Sequence, residues 1–188
     1  MNIPNRLTIL RMFLAPVFLS VFLARGLPHR FLWGLIVFGL AALTDFADGK
    51  IARKTNQITV FGKLADPVAD KMLTTAALLA FMSLGLCNIW IVMIILTREF
   101  AVTSIRLVAS AQGVVIPANI WGKLKTASQM IFTLVIMLLG GLRSSGHLPG
   151  AFNLPLLSNA LLWMTAVLAV LSGMIYLYDS RDLVNFKN

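Results

Sequence analysis

Residues 31–86 read FLWGLIVFGLAALTDFADGKIARKTNQITVFGKLADPVADKMLTTAALLAFMSLGL, two apolar runs around a polar centre that holds Asp45, Asp48, Asp66 and Asp70. A helix rises about 1.5 Å per residue and needs roughly 20 apolar residues to cross the hydrocarbon core of a bilayer. The runs Phe31 to Asp48 and Pro67 to Leu86 are near that length, and so are four others: Leu7 to Ala24, Ile89 to Ser110, Gly122 to Leu142 and Pro155 to Tyr178. Six such runs leave few residues for loops. The expectation is one all-α, polytopic membrane domain over residues 1–188, with six transmembrane helices and no separate soluble domain.

Composition agrees. Of 188 residues, 59% are hydrophobic and 12% charged, and the mean hydropathy is +0.86, too apolar for an ordinary water-soluble domain. Sixteen Lys and Arg against seven Asp and Glu give a net charge of +9. The basic residues lie between apolar runs rather than in a stripe flanked by aromatics, which argues against nucleic acid and for anionic headgroups or phosphorylated substrates. Cys87 has no second cysteine to pair with, and His29 and His147 stand apart, so disulfide and zinc chemistry find no donors. The first run invites comparison with a signal peptide, but it is long, and Arg25 stands where a small-residue cleavage site is expected; it is read as retained. No Arg- and Ser-rich transit extension precedes it, which favours a bacterial cytoplasmic membrane.

Orientation follows from the excess of Lys and Arg in cytoplasmic loops. One side takes Arg6, Arg11, Lys50, Arg53, Lys54, Lys63, Lys71, Arg98, Arg106, Lys123, Lys125, Arg181 and Lys187, whereas the other takes Arg25, Arg30 and Arg143. Both termini and the polar centre of residues 31–86 are therefore expected on the cytoplasmic side.

Four of the seven acidic residues fall within that centre. On a helix, the spacings of Asp45 to Asp48 and Asp66 to Asp70 each put two carboxylates on one face. The first pair ends the second run and the second begins the third, so a hairpin returns all four to one membrane surface. Four ionised carboxylates in a partly buried place repel one another and lose hydration unless they take up protons or cations. Two divalent ions match their charge, and an all-oxygen donor set suits Mg²⁺ or Mn²⁺. The plainer alternative is a solvated helix-end cluster in which the aspartates pair with Lys50, Arg53, Lys63 and Lys71. Nearby, Gly49, Ala52 and Gly62 leave room for a ligand at the backbone, and Arg53 can grip a phosphate with its planar fork. Each also has a packing or anchoring explanation of its own.

Together these positions spell Asp45-x2-Asp48-Gly49-x2-Ala52-Arg53-x8-Gly62-x3-Asp66-x3-Asp70, which resembles the signature of the CDP-alcohol phosphotransferase family. The resemblance implies that family's fold: a six-helix membrane enzyme, usually a homodimer, that cleaves the diphosphate of a CDP-linked alcohol and releases CMP. It implies that Asp45, Asp48, Asp66 and Asp70 hold two divalent ions, with Asp70 also the proton acceptor. It implies that Gly49, Arg53 and Thr59 contact the CDP moiety. The segment Asn2-Ile3-Pro4-Asn5-x-Leu7-Thr8-x2-Arg11 is similar to one that helps close the nucleotide site, which adds Asn5 and Thr8 to the CDP-lipid residues. Otherwise Asn5 or Thr8 caps the first helix.

Arg98, Arg106, Lys123 and Lys125 lie in or beside the fourth and fifth runs, where an ionisable group is costly enough to suggest a function. A shared anionic acceptor accounts for all four. Singly, Arg98 has Glu99 or a neighbouring helix to pair with, and Lys123 and Lys125 have anionic headgroups to anchor at. Thr97-Arg98-Glu99-Phe100, Arg106 and Gly122-Lys123-x-Lys125-Thr126-x2-Gln129 are similar to segments of the family members that join CDP-diacylglycerol to sn-glycerol 3-phosphate. Serine or inositol phosphate as acceptor fits these segments less well. Outside the family, a prenyltransferase would carry its two aspartate motifs on widely separated spans. A divalent-cation carrier would place acids near the midplane, where only Glu99 lies.

Overall fold

The computed structural model describes residues 3–55, 60–114, 116, 119–149 and 152–181; the side chains at 3, 4, 6, 45–55, 60–67 and 70 lie outside the description. Among the described residues the chain is all helix, with no strand: α1 (Ile3–Leu23), α2 (Arg30–Thr55), α3 (Val60–Ser83), α4 (Ile89–Ala111), α5 (Ile120–Ser144) and α6 (Leu154–Ser180). Two of these, α5 and α6, are long and apolar enough to cross a membrane, whereas Leu7–Leu23, Arg30–Thr44 and Lys71–Ser83 are shorter apolar stretches.

Local chemistry explains several helix ends. Both α4 and α5 open on Asn-Ile-Trp, and in each the asparagine Oδ1 accepts the backbone N–H two residues on. Asn88 takes that of Trp90 at 2.9 Å and Asn119 that of Trp121 at 3.0 Å, which satisfies one of the donors a helix start leaves unpaired. At the other end of α4, Gly113 takes φ +73°. That turn lets Val114 N–H reach Ala109 C=O at 2.9 Å and Gly113 N–H reach Ser110 C=O at 3.1 Å, the paired bonds of a Schellman cap. Gly146 closes α5 the same way.

Helices and apolar runs part company around the aspartates. The second run ends at Asp48, but α2 continues to Thr55; the third begins at Pro67, but α3 starts at Val60. An apolar run marks where hydrocarbon would stop, whereas a helix ends where its backbone bonds do. All four aspartates therefore sit inside helices, a turn or more from the nearer end.

The chain divides into two compact units, each built from separate stretches of sequence. One comprises Met1–Leu84 with Thr133–Leu154. In it α1 packs against α2 and α3 around buried Phe18, Phe22, Phe38 and Phe81. The Phe18 and Phe22 rings stack at 5.3 Å, and Phe38 and Phe81 meet them edge-on at 5.8 Å. Glycines admit this closeness: a Cβ on Gly34 would lie 2.3 Å from the Phe22 ring, and one on Gly140 2.3 Å from Phe31.

The other unit comprises Gly85–Phe132 with Pro155–Asn188. Buried Val102, Ile105, Ala109, Ile116 and Tyr176 form its apolar cluster. Ser158, fully buried, donates its hydroxyl to Leu86 C=O at 2.6 Å and so ties the start of α6 to the chain before α4.

Candidate active site

Asp45 and Asp48 stand three positions apart on α2, and Asp66 and Asp70 four apart on α3. The helical backbone at all four keeps each pair on one face of its helix. Gly49, Ala52 and Arg53 follow on α2, and Gly62 precedes Asp66 on α3; Thr59 lies outside the described residues. Among the described residues, no group of three His, Cys, Asp or Glu side chains could hold a metal ion. The side chains of the aspartate motif lie outside the described residues. Four carboxylates at helix-face spacing, without imidazole or thiolate, fit hard divalent cations.

Asn5 and Thr8 do not cap α1. The helix starts at Ile3, so both lie inside it, where an N-cap cannot be. With Arg11 they share one side of α1 and are buried, Thr8 and Arg11 to 1% exposure. A polar stripe this deep must be matched by polar partners, and the helix that carries it packs against α2 and α3, the aspartate helices.

The basic residues belong to the second unit and divide by burial. Arg98 on α4 makes the ion pair with Glu99 that its neighbour offers, Nη1 to Oε1 at 3.1 Å. Lys125 on α5 reaches the same oxygen at 2.6 Å. Side-chain exposures of 12%, 22% and 3% for Arg98, Glu99 and Lys125 put the three in a poorly hydrated setting. Lys125 is thus no headgroup anchor. Lys123, two positions before it, is exposed, because a two-residue step turns a helix by more than half a circle. Arg106 is also exposed, its guanidinium carbon 6.0 Å from the centre of the Tyr176 ring.

Two glycines shape the space that Arg98 fills. A Cβ on Gly122 would stand 3.3 Å from Nη2, and one on Gly173 3.1 Å from Cγ. The Arg98 Nε–H is buried with no hydrogen-bond partner, a donor that an anion's oxygen would satisfy. Sequence reading missed Gly173, since α6 carries no polar motif at that point, and it missed Glu99 as the partner of Lys125, 26 positions away.

With helices and residues in place, the chain belongs to the CDP-alcohol phosphatidyltransferase family, whose sequence profile matches residues 1–171. It is 35% identical to the CDP-diacylglycerol--glycerol-3-phosphate 3-phosphatidyltransferase of Bacillus subtilis (strain 168), over 100% of this chain and 99% of the relative. The protein of the same description from Rickettsia typhi is 38% identical over 93% of this chain and 94% of its own length. A probable phosphatidylglycerophosphate synthase of Mycobacterium tuberculosis is 41% identical over 69% of this chain and 63% of its own.

Proposed function

We propose that this enzyme moves the phosphatidyl group of CDP-diacylglycerol to sn-glycerol 3-phosphate, forming phosphatidylglycerophosphate and releasing CMP. The observation that carries the reading is the end-to-end likeness to the Bacillus subtilis relative, whose description names that transfer.

The chemistry of the residues supports it. The acceptor hydroxyl oxygen bonds to the lipid-side phosphorus as the bond from that phosphorus to the CMP oxygen breaks, and CMP departs with the electron pair. The hydroxyl proton needs an acceptor, because an alcohol ionises far above neutral pH. Asp70 takes it. Asp45, Asp48, Asp66 and Asp70 would hold two Mg²⁺ or Mn²⁺ ions, which when bound would offset the negative charge of the diphosphate and of the departing CMP. Arg53 grips phosphate through its fork, Gly49, Ala52, Thr59 and Gly62 admit the nucleotide, and Asn5 and Thr8 of α1 are further contacts to the CDP-lipid. Arg98, Arg106, Lys123 and Lys125 counter the acceptor's dianionic phosphate.

The same reading makes the protein a homodimer with six helices in a bacterial cytoplasmic membrane, its termini and chemistry on the cytoplasmic side. Every helix exposes large apolar side chains, among them Phe13, Ile36, Leu79, Phe100, Ile131 and Met174, as a lipid-facing surface requires. The test is CMP release from CDP-diacylglycerol by purified protein offered glycerol 3-phosphate, serine or inositol phosphate. Release with glycerol 3-phosphate is expected; release with serine alone overturns the assignment.

A further inference from the structure

We propose that Glu99 is a positioning residue for the acceptor, holding Arg98 and Lys125 as the pair that receives its phosphate. The inference rests on the reading of those cations as the acceptor site. One carboxylate oxygen serves both, accepting from Lys125 Nζ at 2.6 Å and from Arg98 Nη1 at 3.1 Å. Sharing it brings the two cationic nitrogens within about 6 Å of each other, where like charges in a partly buried setting repel. A carboxylate repels phosphate, so Glu99 gains the acceptor nothing by direct contact. Its geometry suits a different task, which is to keep two like charges together before the anion arrives.

Arg98 is confined on two further sides by the backbone at Gly122 and Gly173, with contacts of 3.3 and 3.1 Å for any added Cβ. Held there, its buried Nε–H keeps a donor in reserve. Lys125 enters from α5 and Arg98 from α4, and Glu99 is the atom-level link that sets their spacing. Loss of the link separates the pair and weakens acceptor binding, while the nucleotide lipid, held by other residues, is unaffected.

The experiment is steady-state CMP release by the full-length protein in mixed micelles, wild type against Glu99→Gln and Glu99→Asp, titrating acceptor and CDP-diacylglycerol separately. For Glu99→Gln the acceptor KM should rise about tenfold while the CDP-diacylglycerol KM stays within about twofold. The Ki of inorganic phosphate against the acceptor should rise in step. Glu99→Asp, which keeps the charge on a shorter arm, should fall between. An unchanged acceptor KM, or equal rises in both KM values, overturns the positioning role. If Glu99→Gln does not fold, Glu99→Asp is read alone by the same criteria. The two proposals fail differently: wild-type protein that rejects glycerol 3-phosphate for an unphosphorylated alcohol sinks the proposed function, whereas normal wild-type turnover with an indifferent Glu99→Gln sinks only the role of Glu99.

Discussion

The Lys125 ammonium donates to the Glu99 carboxylate at 2.6 Å, joining α5 to α4 through two side chains that are largely out of water. A buried pair costs much of its attraction in lost hydration, but removing one partner leaves the other charge stranded. Lys125→Met should therefore lower stability by about 3 kcal/mol, at the low end for a broken buried pair because Arg98 remains beside Glu99. Exposed Lys123→Met should shift it by less than about 0.5 kcal/mol. Thermal unfolding in detergent measures both, and equal effects would contradict the burial contrast.

Gly140 and Gly39 offer a paired test of helix packing. A Cβ at Gly140 would sit 2.3 Å from the Phe31 ring, which is itself edge-on to Phe22 at 5.1 Å and has little freedom to move. Gly140→Ala should cost about 1–3 kcal/mol. At Gly39 an added Cβ meets nothing within 4 Å, so Gly39→Ala should be neutral or gain up to about 1 kcal/mol from helix propensity.

Much of this architecture was legible in the sequence, for identifiable reasons. The start of α4 at Ile89 coincides with the start of the apolar run Ile89 to Ser110. The apolar runs stop short of the ends of α2 and α3 near the aspartates, because hydropathy reports polarity and not backbone bonding: α2 continues to Thr55 and α3 begins at Val60. Glu99 is Arg98's neighbour in sequence and one of the two partners the sequence offers it, the other being a neighbouring helix. The shared bond to Lys125, and the fit of Gly173 against Arg98, arise only when α4, α5 and α6 are brought together. Burial of Asn5, Thr8 and Arg11 on α1 has the same origin, since polar residues early in a helix read equally well as caps.

In the proposed reaction Asp70 takes the proton of the acceptor hydroxyl. Asp70→Asn keeps the size and removes the basicity, so turnover should fall by at least about a hundredfold, while CDP-diacylglycerol binding stays detectable by calorimetry. Near-normal turnover in this variant would remove Asp70 from the role.

Cys87 lies between α3 and α4, and burial pushes its thiol up to about 12. The raised value keeps the thiol protonated at neutral and mildly alkaline pH, and only the thiolate is a nucleophile. Native protein at pH 8 should resist alkylation that proceeds readily after unfolding, and Cys87→Ser should retain full activity. Rapid labelling of the native protein would contradict this.

In the proposed reaction one phosphatidyl group changes partners, from CMP to glycerol 3-phosphate. The most direct measurement follows labelled sn-glycerol 3-phosphate into chloroform-extractable lipid, with CMP counted in the same reaction, with and without Mg²⁺ or Mn²⁺. Equimolar CMP and labelled lipid are expected, both dependent on CDP-diacylglycerol and lost when the divalent ion is chelated. CMP formed with no label in lipid, or labelled lipid formed undiminished in excess chelator, would contradict it.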